Sequence, residues 1–420
     1  MLLSKWRWKI LQITRRLWVR AALIGLLGII AAAIAVVGER LIPWQIPGSI
    51  AATAVGDILN ILASSMLAVT TFSLSVMTSA FSAATNNVTP RATKLLMQDR
   101  VTQNVLATFI GSFLFSLVGI VMLKTGIYGD KGRVILFIAT VAVITLIVVT
   151  LIRWIDHLSE LGRVGETTDR VEAATMEAIK ARINAPFLGG RRLDTEAPVS
   201  KEAKCIYPQD TGYVRHVDIK GLSDCAEALE TEFLLAALPG TFVHPTRPLL
   251  RMRVRKDVDD AACDRIRDCF DIGSERSYDQ DPRFGIAVLS EIALRGLSPA
   301  VNDSGTAIDV LGRLTRILIC WADGCSEAKE DVTFPRIYVP AIEHADLFDD
   351  AFNLIARDGS GMIEVQLRLQ KSLHALAQVG DDAFRECARV QSRLALERAL
   401  DDMSASQDSA RLRDVAAWSQ

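Results

Sequence analysis

The chain reads as a membrane α-helical domain of about four transmembrane helices followed by a cytoplasmic α+β domain. Three observations carry that expectation. Apolar runs long enough to cross a bilayer are confined to the first third of the sequence. Charge is split: residues 1–152 hold 13 Lys/Arg against four acids, Glu39, Asp57, Asp99 and Asp130, and the remainder holds 34 basic against 45 acidic, so the parts carry +9 and −11. Beyond residue 152 the apolar pattern shortens to strand-like runs and amphipathic repeats. A chain of 420 residues needs more than one core.

The expected transmembrane domain covers residues 1–153, with spans at about 17–38, 58–81, 101–123 and 134–152. Lys5, Arg7, Lys9, Arg15, Arg16 and Arg20 precede the first span, and Glu39, Arg40 and Pro43 close it. A signal peptide ending near Ala33-Ile34-Ala35 competes for this segment, but the apolar stretch is long for one and further spans follow. The basic residues before the first span, with Arg91, Lys94 and Arg100 after the second, place those loops in the cytoplasm. Lys124, Lys131 and Arg133 weigh less strongly the other way. Both termini are then cytoplasmic, and Trp18, Trp44 and Trp154 fall near span ends, at headgroup level. All seven cysteines lie beyond residue 152 without a CxxC pair, which suits a reducing cytosol better than a disulfide framework or a zinc site. The lipid bilayer is the first partner expected. Nucleic acid is excluded, because the acidic soluble part would repel phosphates.

The second span is the most informative. At ~100° per residue, Asp57, Asn60, Ser64, Thr71, Ser75, Thr78 and Ser82 fall close to one line, with Ala68 filling the gap. Such a stripe serves ordinary helix packing, or it lines a wet path with Asp57 attracting cations at the mouth. One four-helix unit has little room for a pore, so a conduit requires a homo-oligomer whose second spans share an axis. In the third span Thr108, Ser112 and Ser116, with Gly111 and Gly119, point to packing. Gln103 and Asn104 at its start are placed to anchor the preceding loop, and the fourth span reads as lipid-facing.

After Arg153 no proline appears until Pro186, so a connecting cytoplasmic helix is expected over 154–188. Its Leu161, Val164, Thr168, Val171, Thr175 and Ala178 form either a short coiled-coil seam or the inner face of a helix lying on its own domain. Gly189 to Pro198 reads as a linker. A small β-rich module is expected over 199–257, with strands at 204–207, 212–219, 233–237 and 249–254 and turns at Pro239-Gly240 and His244-Pro245. His216 and His244 read as surface residues. From 258 to 420 a mainly helical domain follows. Asp281-Pro282 caps a helix with Pro at its first position, Ser298-Pro299 ends it, and Asn302 or Asp303 caps the next.

Asp281, Glu291, Arg295, Asn302 and Asp303 form a candidate cytoplasmic polar site, which helix caps and an i,i+4 ion pair account for without chemistry. P-loop, GxSxG, HExxH and Rossmann patterns are all missing, so no enzyme, cofactor or metal is expected.

Several of these strings, taken together, resemble the bacterial membrane proteins grouped as domain of unknown function 2254. They are Thr89-Pro90-Arg91 through Asp99-Arg100 with Gln103, Leu106 and Phe109; Gly212-Tyr213-Val214; Pro239-Gly240-Thr241-Phe242-Val243; and Gln280-Asp281 through Phe284-Gly285-Ile286, Glu291-Ile292-Ala293 and Leu297 to Asp303. Gly296 and Ser304 depart from the pattern, which usually shows Ala and Pro there. The resemblance implies an inner-membrane protein and assigns no catalytic residue. The function expected is an oligomeric ion or small-solute channel or its regulator. The alternative is a non-conducting sensor or scaffold whose cytoplasmic domain binds a ligand or partner, and a hydrolase using the Asp281–Asp303 region is a remote third.

Overall fold

Long runs of Leu, Ile, Val and Ala satisfy every backbone polar group internally only as helices, and they fold that way. The computed structural model describes residues 4–14, 17–41, 52–97, 99–160, 162–193, 204–253, 258–327 and 332–419. The helices in chain order are α1 (Lys5–Thr14), α2 (Leu17–Leu41), α3 (Ala52–Asn87), α4 (Pro90–Met97), α5 (Arg100–Lys124), α6 (Asp130–Glu160) and α7 (Val164–Asn184). The chain divides into a membrane unit, Lys9–Asn86 with Thr93–Thr167, and a larger unit, Met1–Trp8, Asn87–Ala92 and Thr168–Gln420.

Among the described residues three helices are long and apolar enough to cross a membrane, Thr53–Thr85, Arg100–Lys124 and Lys131–Leu158, against the four expected. The expected first span folds as helix α2, of which 21–31 is an apolar stretch by the same measure. Trp44 lies outside the described residues.

Within the membrane unit the packing follows side-chain size. A Cβ at Gly28 would stand 2.6 Å from the Gly111 carbonyl oxygen, and one at Gly111 would stand 2.8 Å from Ile24 Cγ2, so α2 and α5 meet at backbone distance. Val55, Leu59, Phe115, Tyr128 and Leu136 form one buried cluster. Met66, Val105, Phe109, Ile147 and Trp154 form another, so the Trp154 ring, near the end of α6, is covered by its neighbours within the unit. Ser112 and Ser116 are buried, with Ser116 Oγ donating to Ser112 O, as expected of a packing face. Gln103 is buried and donates to Met97 O at 3.0 Å, anchoring the preceding turn. Asp99 caps α5 by accepting from Thr102 N, and its Oδ2 lies 2.8 Å from His157 Nε2 near the end of α6.

The expected unbroken helix beyond Arg153 is not formed. Helix α6 stops at Glu160 and α7 starts at Val164, with Gly162 at φ +84° between them. A Cβ at Gly162 would lie 3.3 Å from both Ala80 Cβ and Ala80 O, so the chain turns there against α3.

In the larger unit, β1 (Arg191–Arg192), β2 (Lys204–Ile206), β3 (Gly212–Val217), α8 (Ile219–Ala228), β4 (Phe233–Leu235), β5 (Phe242–Val243), β6 (Leu250–Met252), α9 (Asp260–Asp268) and β7 (Phe270–Gly273) come in order. They are followed by α10 (Pro282–Leu297), α11 (Ser304–Glu327), β8 (Ile337–Val339), α12 (His344–Phe348), α13 (Leu354–Asp358), α14 (Ile363–Leu376), α15 (Asp382–Asp402) and α16 (Ser406–Ala416). One mixed sheet has the order β1-β8-β4-β6-β2 and the other, antiparallel, β5-β3-β7. Strands β7 and β8 come from beyond residue 257, so the 199–257 segment and the 258–420 segment share their sheets.

A bulge between Val214 and His216 turns Val217 to the same core as Val214, where Phe233, Leu250 and Ile337 also pack. His216 is buried, contrary to the surface position expected from the sequence: the Trp8 ring stacks on it at 5.0 Å. Trp8 Nε1 donates to Asp279 Oδ2 at 2.8 Å, and Lys5 N donates to Asp218 Oδ2 at 2.8 Å, fixing these residues to the larger unit.

Candidate functional site

The polar stripe of α3 faces outward. Asp57, Asn60, Ser64, Thr71, Ser75, Thr78 and Ser82 are all exposed in the protomer, whereas Val55, Leu59, Met66, Ser73, Met77 and Ala84 are buried. At ~100° per residue the two sets are centred about 150° apart around the helix axis. The stripe is therefore not used for packing inside the membrane unit. Ser64, Thr71 and Thr78 donate to carbonyls one turn back, Asn60, Leu67 and Leu74, at 2.8–3.0 Å. Those back-bonds make the hydroxyls cheap in lipid, but among the described residues nothing comparable holds the Asp57 carboxylate or the Asn60 amide.

In the larger unit the five residues of the candidate polar site have separate tasks. Asp281 is almost wholly buried and caps α10, accepting from Phe284 N at 3.2 Å with Pro282 at the first helical position. Glu291 is engaged by Arg91 and, at 3.1 Å, by Thr89 Oγ1. Arg295 closes α10, its carbonyl accepting from Ser298 Oγ at 2.7 Å. Asn302 adopts φ +52°, and Asp303 caps α11 through Thr306 N and Oγ1. Those two hydrogen bonds from Thr306 hold the Asp303 carboxyl below its ordinary range. Ser304 opens α11, where a proline would also fit, and Gly296 leaves room for Asp303 O and Thr306.

The seam residues Thr168, Val171, Thr175 and Ala178 are buried within the larger unit, so α7 lies on its own domain; Leu161 lies outside the described residues. Arg182 extends that face by one more turn and was missed, although an arginine continuing a buried repeat is a legible signal. It lines a cavity of about 330 Å³ with Arg247, Arg276, Arg283 and Asp281. Arg276 grips Asp281 through two bonds, Nε to Oδ2 at 2.7 Å and Nη2 to Oδ1 at 3.0 Å. Arg283 pairs with Asp350 at 2.6 Å and with Asp346. Gly240, at φ +92°, lies so close that a Cβ would stand 2.2 Å from Asp281 Oδ2. Burial raises the Asp281 carboxyl against the opposing pull of Arg276, and burial lowers Arg182 to about 10.

The seven thiols are free. Cys225, half-buried on α8, is lowered to about 7 by its contact with the Cys269 thiol, and Cys269 is raised in turn. Cys325, although an exposed residue, is raised to about 11 by partial withdrawal of its thiol from water and by the nearby Asp381 charge. Iodoacetamide should therefore modify Cys225 ahead of Cys325 at neutral pH, with the rate reaching half its plateau near pH 7. Peptide mass mapping across a pH series checks this, and Cys269→Ala should move the Cys225 midpoint upward.

Long apolar helices joined to a larger α/β unit with a charged cavity define a helical membrane protein. The chain belongs to the family described as predicted membrane protein (DUF2254), whose model matches residues 14–375. It is similar to uncharacterised proteins of Mycobacterium tuberculosis and Mycobacterium bovis, each 28% identical over 338 residues, covering 77% of this chain. The match covers 63% of those relatives' own length. No solved structure matches the chain.

Proposed function

We propose that the protein is an oligomeric conduit for ions or small solutes, or the regulator of one, formed when α3 helices of several copies face a shared axis. The outward stripe of seven polar side chains carries this reading, above all the Asp57 carboxylate and Asn60 amide, which lie on the face opposite the one that packs. Carboxylates at a pore mouth concentrate cations, and hydroxyls below them replace part of an ion's hydration. With α2 taken as a fourth crossing, the positive-inside balance of the loops supports a bacterial inner-membrane topology in which both termini and the larger unit are cytoplasmic.

The expected result is a detergent-solubilised mass of several protomers and cation flux from proteoliposomes that falls several-fold in Asp57→Ala. A monomeric mass, or flux absent from the wild type, overturns it. A second reading, a membrane-anchored sensor, is favoured by the arginine-lined cavity of the larger unit.

A further inference from the structure

Two strings that carry the family resemblance, Pro239–Val243 and Gln280–Ile286, meet at the cavity of about 330 Å³, near the small end of ligand pockets. Four arginines line it, and their charges are not equally satisfied. Arg276 is held by Asp281, and Arg283 by Asp346 and Asp350. Arg182 and Arg247 have no carboxylate within ion-pair distance among the described residues. Each instead donates to a carbonyl, Arg182 Nη2 to Gln280 O and Arg247 Nη1 to Phe242 O, both at 3.2 Å.

Arg182 is the telling member. It is 3% exposed, and its Nη1 has no hydrogen-bond partner among the described residues. A guanidinium offers five donors, and a buried one left short of acceptors is costly. The nearest available acid is already committed, since the two oxygens of Asp281 take both Arg276 and the first turn of α10. An acceptor from outside the chain would complete the arrangement. The first turn of α10, a helix of 16 residues, adds its positive end at Pro282 on the cavity wall.

We infer that this cavity binds a small organic molecule through a single oxyanion head, phosphate or carboxylate, received by Arg182 at the buried end and Arg247 at the exposed end. Planar guanidinium forks suit both kinds of head. Glu343 and Asp346 also line the cavity and are exposed, so a second anionic group on the ligand would be repelled. The assignment deepens the sensor reading and does not depend on conduction.

The test is calorimetric titration of the detergent-solubilised full chain with inorganic phosphate and, separately, with acetate, against sodium chloride at equal ionic strength. Saturable binding of one ion per protomer is expected, weakened at least tenfold in Arg182→Met and less in Arg247→Met. Phosphate without acetate identifies a phosphate head, and the reverse a carboxylate head. Should Arg182→Met fail to fold, the exposed Arg247→Met carries the comparison. Neither ion binding beyond chloride, or folded variants binding like the wild type, overturns the inference. Binding without flux removes only the conduit, and a sensing role falls separately if binding leaves cellular behaviour unchanged in Arg247→Met.

Discussion

Asp281→Ala should be the most damaging single substitution in the larger unit. The carboxylate is buried, holds Arg276 through two bonds, lies in the field of Arg182 and caps α10. Removing one partner of a buried pair costs about 3–5 kcal/mol, and loss of an N-cap adds about 1 kcal/mol. In a unit of this size that corresponds to a fall in thermal midpoint of roughly 10 °C or more. Asp281→Asn keeps a capping oxygen and the side-chain shape, so it should lose less. Arg276→Met in the Asp281→Ala background should restore part of the loss, because the orphaned guanidinium leaves with it. Thermal unfolding followed by intrinsic fluorescence in detergent checks all three. A drop within about 0.5 kcal/mol, the range of an ordinary surface change, would show that Asp281 is not a keystone.

The sign of the pH dependence follows from burial. A carboxyl whose folded-state value is raised contributes stability fully present below its unfolded value and lost as pH rises through the folded value. Asp281 is raised, so its own contribution declines as pH climbs above the ordinary carboxylate range. Asp303 is lowered, so its contribution is present above that range and lost on acidification.

How much of this was legible depended on whether the cause lay nearby in sequence. The presence of long apolar helices followed from composition, although three among the described residues reach spanning length against the four expected, and the Asp281-Pro282 cap followed from two adjacent residues, because both depend on local chemistry. All four β-rich segments read from the sequence contain strands, β2, β3, β4 and β6, but β7 and β8 were absorbed into a helical stretch, since short strands carry little periodicity. The break at Gly162 went unread: glycine within a helical pattern is tolerated often enough that only its approach to Ala80 decides the matter. His216 was misplaced because the ring covering it belongs to Trp8, far away in the chain. The arginine cavity escaped for the same reason. Its members come from α7, two loops and the start of α10, and only Arg182 leaves a trace in a local repeat.

Gly285 ties that repeat to the cavity. A Cβ there would fall 1.9 Å from Thr175 Oγ1 and 2.7 Å from Thr175 Cβ. The hydroxyl, now donating to Val171 O, could rotate away, but the Thr175 Cβ is fixed to the backbone of α7, so the helices themselves must part. Overpacking of this kind costs about 1–3 kcal/mol for a methyl group. Gly285→Ala should therefore lower the thermal midpoint by roughly 5 °C, and Gly285→Leu by more. Thr175→Gly weakens α7 by about 1 kcal/mol alone, yet should offset part of the Gly285→Ala loss when combined, giving a coupling energy that a double-mutant cycle measures. Additive losses would mean that α7 and α10 do not meet at this point. Arg182 lies two turns beyond Thr175 on the same helix, so parting α7 from α10 also moves the guanidinium away from Asp281. Gly285→Ala should then weaken oxyanion binding while leaving the Arg276–Asp281 pair in place, a combination that separates displacement of Arg182 from general unfolding.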